Sequence, residues 1–266
     1  MDTQTRLSVA REAAVTGAEV AMGGFRGEFT VESKASALDS VTEFDREVQR
    51  RIATLLREEK PDAVIVGEET LPNIDTRTTV PEEGDAWVVD PIDGTNNFVG
   101  GNRNWGVAVA AVDDGEPVAA VNEFPAIGDT YVAAAGGTRR SGESCSVSDR
   151  TAPEEFTINP IFGLSPRHRR MLSEYVGIVA EEFGDHRRFG CAQLALSAVA
   201  AGELEAAVSA VPLHPWDLVG GAHLVRQAGG TVTDIHGDRW TPHAVGLIAS
   251  NGAAHDRLVD AFDAAD

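Results

Sequence analysis

The stretch VVDPIDGTNNFVGG, residues 88–101, decides how this chain is read. An apolar run ends in Asp90, Pro91 and Ile92 follow, and Asp93 opens a Gly-Thr-Asn-Asn turn. Two aspartates three apart at a strand end admit two readings. Asp-Gly is a common turn pair, because Asp bonds to nearby backbone and Gly supplies positive φ. The same carboxylates are also hard oxygen donors for a cation. An EF-hand calcium loop is excluded, since its alternating acids and closing Glu do not follow Asp90.

Working outward, other acids fall in comparable places. The apolar run AVIV runs into Glu68 and Glu69, and Asp217 follows Trp216 where a helix is predicted to begin. In open α/β sheets, ligands bind beyond the strand ends, where loops from several elements converge. Three segments delivering carboxylates there suit Mg²⁺, which takes oxygen ligands in octahedral geometry at about 2.0–2.1 Å. No His-Cys cluster of zinc spacing is present. Each piece also has a purely structural reading. Thr42-Glu43-Phe44-Asp45 is spaced as a capping box, Asp217 could cap its helix, and Glu68-Glu69 could be a solvated loop. The metal reading gains from their occurring together.

The flanking pattern is α/β. Leu7, Val9, Ala10, Ala13, Ala14, Ala18, Val20 and Ala21 mark a helix over residues 5–23, ended by Gly23-Gly24. After the polar loop RGEFTVESKASALDS, a second helix starts near Thr42, its face lined by Phe44, Val48, Ile52, Leu55 and Leu56, and Pro61 bars its extension. DAVIVGEE and AWVVD read as strands, WGVAVAAVDDGEPVAAVNEF as a hairpin, and DTYVAAA as a further strand. Beyond it, SPRHRRMLSEYVGIVAEEF is a helix with Ser165 as cap and Pro166 at its first position. GCAQLALSAVAAGELE, HPWDLVGGAHLVRQAGG and GAAHDRLVDAFDAA are further helices, and AAVSAV, TVTDI and VGLIAS are strands. We expect two packed α/β lobes meeting near residue 150, residues 1–150 carrying most of the acids and residues 151–266 carrying Asp217.

Composition narrows the function classes. The 266 residues include 42% hydrophobic ones, enough for a sizeable core. No run of eighteen apolar residues suggests a membrane span, and the start lacks a basic segment followed by an apolar core. Cys145 and Cys191 are the only cysteines, so a disulfide framework is not expected and a reducing cytoplasm is the default. The net charge is −20, with 42 acidic against 22 basic residues, and only Lys34 and Lys60 among the latter are lysines. Such self-repulsion opposes compaction, but at molar salt the Debye length falls to about 3 Å. The chain thus reads as one built for a salty cytoplasm, with neither nucleic acid nor an anionic membrane as main partner.

GEET at 67–70, DPIDGTNNF at 90–98, PWDLVGGAHLVRQAGG at 215–230 and DSVTEFDREV at 39–48 together resemble the inositol monophosphatase family, among the lithium-sensitive, Mg²⁺-dependent phosphatases that include fructose-1,6-bisphosphatases. The resemblance runs from about residue 6 to about residue 250. It implies a layered αβαβα sugar-phosphatase fold and two or three Mg²⁺ ions per active site. By it, Glu68, Asp90, Asp93 and Asp217 bind metal through carboxylates and Ile92 through its backbone carbonyl, with Glu69 supporting them. Asp45 and Thr95, with Glu68, form the catalytic set, the first two orienting or deprotonating an attacking water. Gly94, Thr95 and Asn96 meet the phosphate through backbone N–H groups. Gly190, Cys191 and Ala192 form the substrate segment, Cys191 standing where the family has a hydroxyl residue and being read also as a small packing residue. Lys34 sits in a loop that closes over the metals, and a homodimer is expected. The implied reaction is hydrolysis of inositol-1-phosphate, fructose-1,6-bisphosphate or both. A phosphatase for nucleotide 3′-phosphates and a non-catalytic regulator are the alternatives. The acid that inositol phosphatases carry shortly before Trp-Asp is absent from VSAVPLHPWD, and the family's histidine after Asn-Phe-Val is Gly100 here.

Overall fold

The computed structural model describes residues 1–33 and 40–263; Lys34, assigned above to a closing loop, lies outside the described residues. Helix α1 (Thr3–Gly24) is followed by the short strands β1 (Val31–Ser33) and β2 (Ser40–Thr42), which pair antiparallel. The stretch expected to be only a polar loop therefore contributes to a short antiparallel strand pair. Helix α2 (Glu43–Glu59) leads to β3 (Val64–Gly67), β4 (Thr76–Arg77), β5 (Asp85–Asp93) and the single-turn α3 (Thr95–Val99). Then come β6 (Gly106–Asp113), β7 (Glu116–Phe124), β8 (Asp129–Ala134), β9 (Gly137–Arg140) and β10 (Glu143–Cys145). The remaining elements are β11 (Thr157–Pro160), α4 (Pro166–Glu182), β12 (Asp185–His186), α5 (Ala192–Ala200), β13 (Ala206–Ser209), α6 (Pro215–Gln227), β14 (Thr231–Thr233), β15 (Leu247–Ser250) and α7 (His255–Asp263).

Two larger sheets organise them. Eight strands lie in the order β10-β9-β8-β7-β6-β5-β3-β4, and five in the order β12-β11-β13-β15-β14. The β6–β7 hairpin turns at Asp114 and Gly115, both at positive φ, as a type I′ connection requires. The β9–β10 hairpin, not predicted, turns the same way at Ser141 and Gly142.

Strand alternation sorts side chains into three cores, one per interlayer space. On β5, Trp87 and Val89 face α1 and α2, where they meet Ala10, Ala14, Val48 and Ile52. Ala86 and Val88 face the other way, toward Leu196, Val219 and Ala222 of α5 and α6. On β13, Ala207 joins that same middle core, while Ala206 and Val208 turn to Tyr175, Val179, Leu258 and Phe262 of α4 and α7. The order is helices, eight-stranded sheet, helices, five-stranded sheet, helices: the expected αβαβα layering. The middle helices are covered on both sides, which explains why AQLALSAVA is buried nearly throughout, Gln193 and Ser197 included. Among the described residues, no helix is long and apolar enough to cross a membrane.

This layering positions the site. Strands β3 and β5 run parallel and adjacent, so their C-terminal ends, carrying Glu68 and Asp90 to Asp93, emerge side by side. Strand β5 continues through Asp93 rather than stopping at Asp90, with a bulge at Pro91 and Ile92 opposite Val107. Pro91 has no N–H to give to a ladder, and a bulge is where a strand tolerates that.

Candidate active site

A cleft of about 570 Å³ opens where these strand ends meet the second sheet. Glu68, Asp93, Gly94, Thr95, Asn96, Gly190, Cys191, Ala192 and Asp217 line it, together with Asn159, His168, Arg188 and His214. The sequence motifs, far apart in the chain, thus share one cavity.

Asp90 does not itself line the cleft; it is buried next to these acids, only 2% exposed. Its Oδ1 is buried with no hydrogen-bond partner among the described residues. Burial pushes its carboxyl well above the usual carboxylate range, and the neighbouring charges of Asp93, Glu68, Asp217 and Asp45 push it further. Asp90 therefore senses four other carboxylates at once. No three of the acidic side chains converge closely enough to hold an ion as they stand among the described residues. The donor set is nonetheless all oxygen, and a buried orphan carboxylate oxygen amid like charges fits a hard divalent cation.

Asp93 is held differently. Its Oδ1 accepts from the backbone N–H of Ala192 at 3.1 Å, and its Oδ2 from the N–H of Gln193 at 2.5 Å and the Cys191 thiol at 3.0 Å. Ala192 and Gln193 are the first two residues of α5, whose leading N–H groups have no partner inside the helix. Asp93, about a hundred residues away, therefore caps α5. Burial raises its carboxyl, and the bonds from Cys191, Gln193 and Ala192 pull it down. Cys191 both packs, at 4% exposure, and donates to an acid, while burial and the Asp93 charge push its thiol well above its ordinary pKa. Ala192, placed in the substrate segment by resemblance, gives its N–H to Asp93.

Gly94 has φ +85, in the left-handed region. A Cβ there would meet Asn104 O at 2.9 Å, Gly190 O at 3.1 Å and Cys191 Cβ at 3.2 Å, so only glycine lets the motif loop approach the substrate segment. Thr95 starts α3. Its hydroxyl lies 3.2 Å from Asp45 Oδ1 and 3.0 Å from the Ile92 carbonyl. One hydroxyl proton can serve only one of these acceptors at a time. The Ile92 side chain packs into the core beneath α1 and α2 and leaves its carbonyl facing Thr95.

Asp45 is fixed by the expected capping box. Its Oδ2 accepts from the N–H of Thr42 at 2.7 Å and from the Thr42 hydroxyl at 2.6 Å, and the Thr42 Oγ1 in turn accepts from the N–H groups of Phe44 and Asp45. Capping and access to Thr95 coexist because they use different oxygens of one carboxylate. Asp217 sits in the third position of α6, after Pro215, and its Oδ2 accepts from His214 N–H at 2.8 Å. It is thus an acid of the first turn and not the cap itself.

Three residues that position the site were not read from the sequence. Gln49 of α2 donates to Glu69 O at 2.5 Å and accepts from Glu69 N at 2.8 Å, pinning the Glu68-Glu69 loop. Asn97 donates to Asn104 O and Phe189 O at 2.7 and 2.9 Å, strapping the motif turn to the Gly190 segment. Gln193 donates to Trp216 O at 2.6 Å. The partners lie 7 to 92 residues off, so no local pattern marks them; only Asn97, inside the motif, stands where a signal exists.

Comparison with known proteins bears on the family and the fold. Residues 2–266 match the inositol monophosphatase family. The chain is 34% identical over 231 residues to the Thermotoga maritima fructose-1,6-bisphosphatase/inositol-1-monophosphatase, covering 86% of this chain and 84% of that protein. It is 31% identical over 227 residues to the Nus factor SuhB of Pseudomonas aeruginosa, covering 82% and 81%. The solved structure of a Thermotoga maritima IMPase superposes with a TM-score of 0.87 at 30% identity, covering 98% of both chains.

Proposed function

The chain belongs to the inositol monophosphatase family and is a phosphatase of phosphate monoesters, and on that premise we propose that it hydrolyses inositol-1-phosphate, fructose-1,6-bisphosphate or both, with Mg²⁺ as cofactor. The observation that carries the metal reading is the buried, partnerless Asp90 Oδ1 amid the charges of Asp93, Glu68, Asp217 and Asp45. Glu68, Asp90, Asp93, Asp217 and the Ile92 carbonyl would hold the metal, with Glu69 in support. When bound, Mg²⁺ supplies charge neutralisation for the phosphoryl oxygens and a lowered pKa for water.

The chain's own groups do the rest. Asp45 and Thr95 form a short relay: the Thr95 hydroxyl donates to Asp45 Oδ1 and offers its lone pair to the attacking water, so the departing proton has a path to a carboxylate. Gly94, Thr95 and Asn96 present N–H groups at the start of α3 toward the phosphate, Gly94 by virtue of its left-handed backbone. The water oxygen attacks phosphorus in line as the phosphorus–oxygen ester bond breaks, and positioning and electrostatics supply most of the acceleration. Gly190, Cys191 and Ala192 shape the side on which the ester oxygen leaves as an alkoxide, which takes its proton from water.

Phosphate release across inositol-1-phosphate, fructose-1,6-bisphosphate and a nucleotide 3′-phosphate, with MgCl₂ or EDTA and in high KCl, tests this. Mg²⁺-dependent cleavage of one of the first two is expected. Preference for the nucleotide would move the substrate assignment, and cleavage of none would leave a regulatory role of the kind the SuhB relative's name suggests. We further propose a cytoplasmic, salt-adapted homodimer, a reading supported by the charge of −20 and by the family.

A further inference from the structure

Gln193 makes three contacts that the catalytic reading leaves unused. Its backbone N–H donates to Asp93 Oδ2 at 2.5 Å. Its side-chain Nε2 donates to Trp216 O at 2.6 Å, one residue before Asp217. Its Oε1 accepts from Asn122 Nδ2 at 2.8 Å, and the same Asn122 amide donates to Ser197 Oγ at 3.1 Å. Asn122, Gln193 and Ser197 are each at most 1% exposed.

The connectivity is specific. Asp93 ends β5 in the eight-stranded sheet, whereas Asp217 stands in the first turn of α6. No strand pairing fixes one relative to the other. Gln193 spans them, with one end of the residue on Asp93 and the other on the peptide that precedes Asp217. The Trp216 carbonyl can only accept, which turns the glutamine Nε2 toward it, and Asn122, on β7, holds that flip by donating to the Oε1 on the other side. Room for the amide pair is made by Gly220, where a Cβ would meet Asn122 Oδ1 at 2.9 Å and Gln193 Oε1 at 3.2 Å. A buried polar group without partners is costly, so the Gln193 amide, whose Oε1 and Nε2 are both engaged, holds one geometry, while Asn122 Oδ1 is itself buried without a partner among the described residues.

We propose that Gln193 is a positioning residue that sets the separation of Asp93 and Asp217, and so the affinity of the site for Mg²⁺, with Asn122 as its orienter. This rests on the reading of the site as a Mg²⁺-dependent phosphatase. Gln193 touches no reacting atom; it acts through the two acids.

The test is Gln193→Met, which keeps the volume and the backbone N–H to Asp93 but removes both side-chain bonds. Mg²⁺ binding is measured by calorimetry on the full chain without substrate, and kcat and KM at saturating Mg²⁺. We expect the Mg²⁺ dissociation constant to rise about tenfold, in the range seen when an outer partner of a metal ligand is lost, with KM changed less than about twofold. Asn122→Ala should act in the same direction, and the double variant should be no weaker than Gln193→Met, because both break one chain. Leu196→Ala, on the same helix, controls for loosened packing: it should lower the melting temperature and leave Mg²⁺ affinity unchanged. Wild-type Mg²⁺ affinity in Gln193→Met, or an equal loss in Leu196→Ala, would overturn the proposal. If Gln193→Met does not fold, Asn122→Ala decides on the same criterion. A wild-type protein that binds no Mg²⁺ would instead defeat the phosphatase reading itself.

Discussion

Asp93→Asn separates the two tasks of one carboxylate. In the fold, Asp93 caps α5 through Ala192 and Gln193 N–H and takes the Cys191 thiol. Asparagine presents one acceptor oxygen where aspartate presents two, so one buried donor is left unpaired, at about 1–3 kcal/mol. Against this, the variant removes a buried charge that crowds Asp90. Asparagine is also as good a helix cap as aspartate. The net loss in EDTA should be about 1–2 kcal/mol, or roughly 2–8 °C in melting temperature for a chain of this size. Mg²⁺ separates the proteins further. At a hundred times its dissociation constant it stabilises the wild type by about 2.7 kcal/mol. A ligand itself should be worth at least the roughly 10–100-fold that its outer partners are. The same Mg²⁺ concentration then stabilises the variant by at most about 1.4 kcal/mol. Thermal melts with and without MgCl₂, beside phosphate release, read both tasks. The expected result is a folded protein with a blunted Mg²⁺ response and turnover near background. More than a few per cent of wild-type turnover would remove Asp93 from the metal set.

Four further outcomes follow from the geometry. Thr95→Ala should lower kcat by roughly 10²–10⁴-fold with little change in KM, because it breaks the path from water to Asp45 Oδ1; equal kcat would remove the relay. Gly94→Ala should abolish activity, since its left-handed φ costs about 1–2 kcal/mol for an L-residue and its Cβ strikes Asn104 O at 2.9 Å; an active, stable variant would show that the loop can yield. His223 is buried, and burial first, then Arg226, lowers its pKa from 6.5 to about 4. Its folded pKa lies below the unfolded one, so its contribution is complete above pH 6.5 and fades as pH falls toward 4, by roughly 3 kcal/mol at most; His223→Phe should flatten that part of the stability profile measured by urea melts. Finally, the melting temperature should climb with KCl, as the repulsion behind a charge of −20 is screened; a flat response would end the salt-adapted reading.

How much was legible follows from how far each feature reaches along the chain. The acids at the ends of β3 and β5 were visible because strand, turn and acid are contiguous, and the Thr42–Asp45 box because its partners are three apart. The αβαβα layering came with the motif resemblance, and each strand's alternation then found its place. The hairpin of β9 and β10 carries its own Ser-Gly turn signal, but TRRSGE contains almost no apolar residue to mark its strands. The β1–β2 pairing had no such signal in either short strand. Least legible were the bonds of Gln49, Asn97 and Gln193, and the capping of α5 by Asp93. Those are set by which layers face each other, and a glutamine in a helix looks the same whether it faces water or a carbonyl.

The middle pair of helices has a consequence for how this protein can change. Leu196 of α5 lies so close to Gly221 of α6 that a Cβ on the glycine would come within 2.4 Å of it. Both helices are roofed and floored by sheets. Enlarging a side chain there shifts two sheets at once, and with them the acids at both ends of the site. The outer wall of the cleft, formed by residues such as Ser165, His168 and Arg188, is bound by no such double constraint. A library of random variants should therefore divide sharply. Altered substrate preference would arise from the rim, and loss of the folded protein from the helices between the sheets. The stiff interior is what lets the chemistry stay fixed while its clientele drifts.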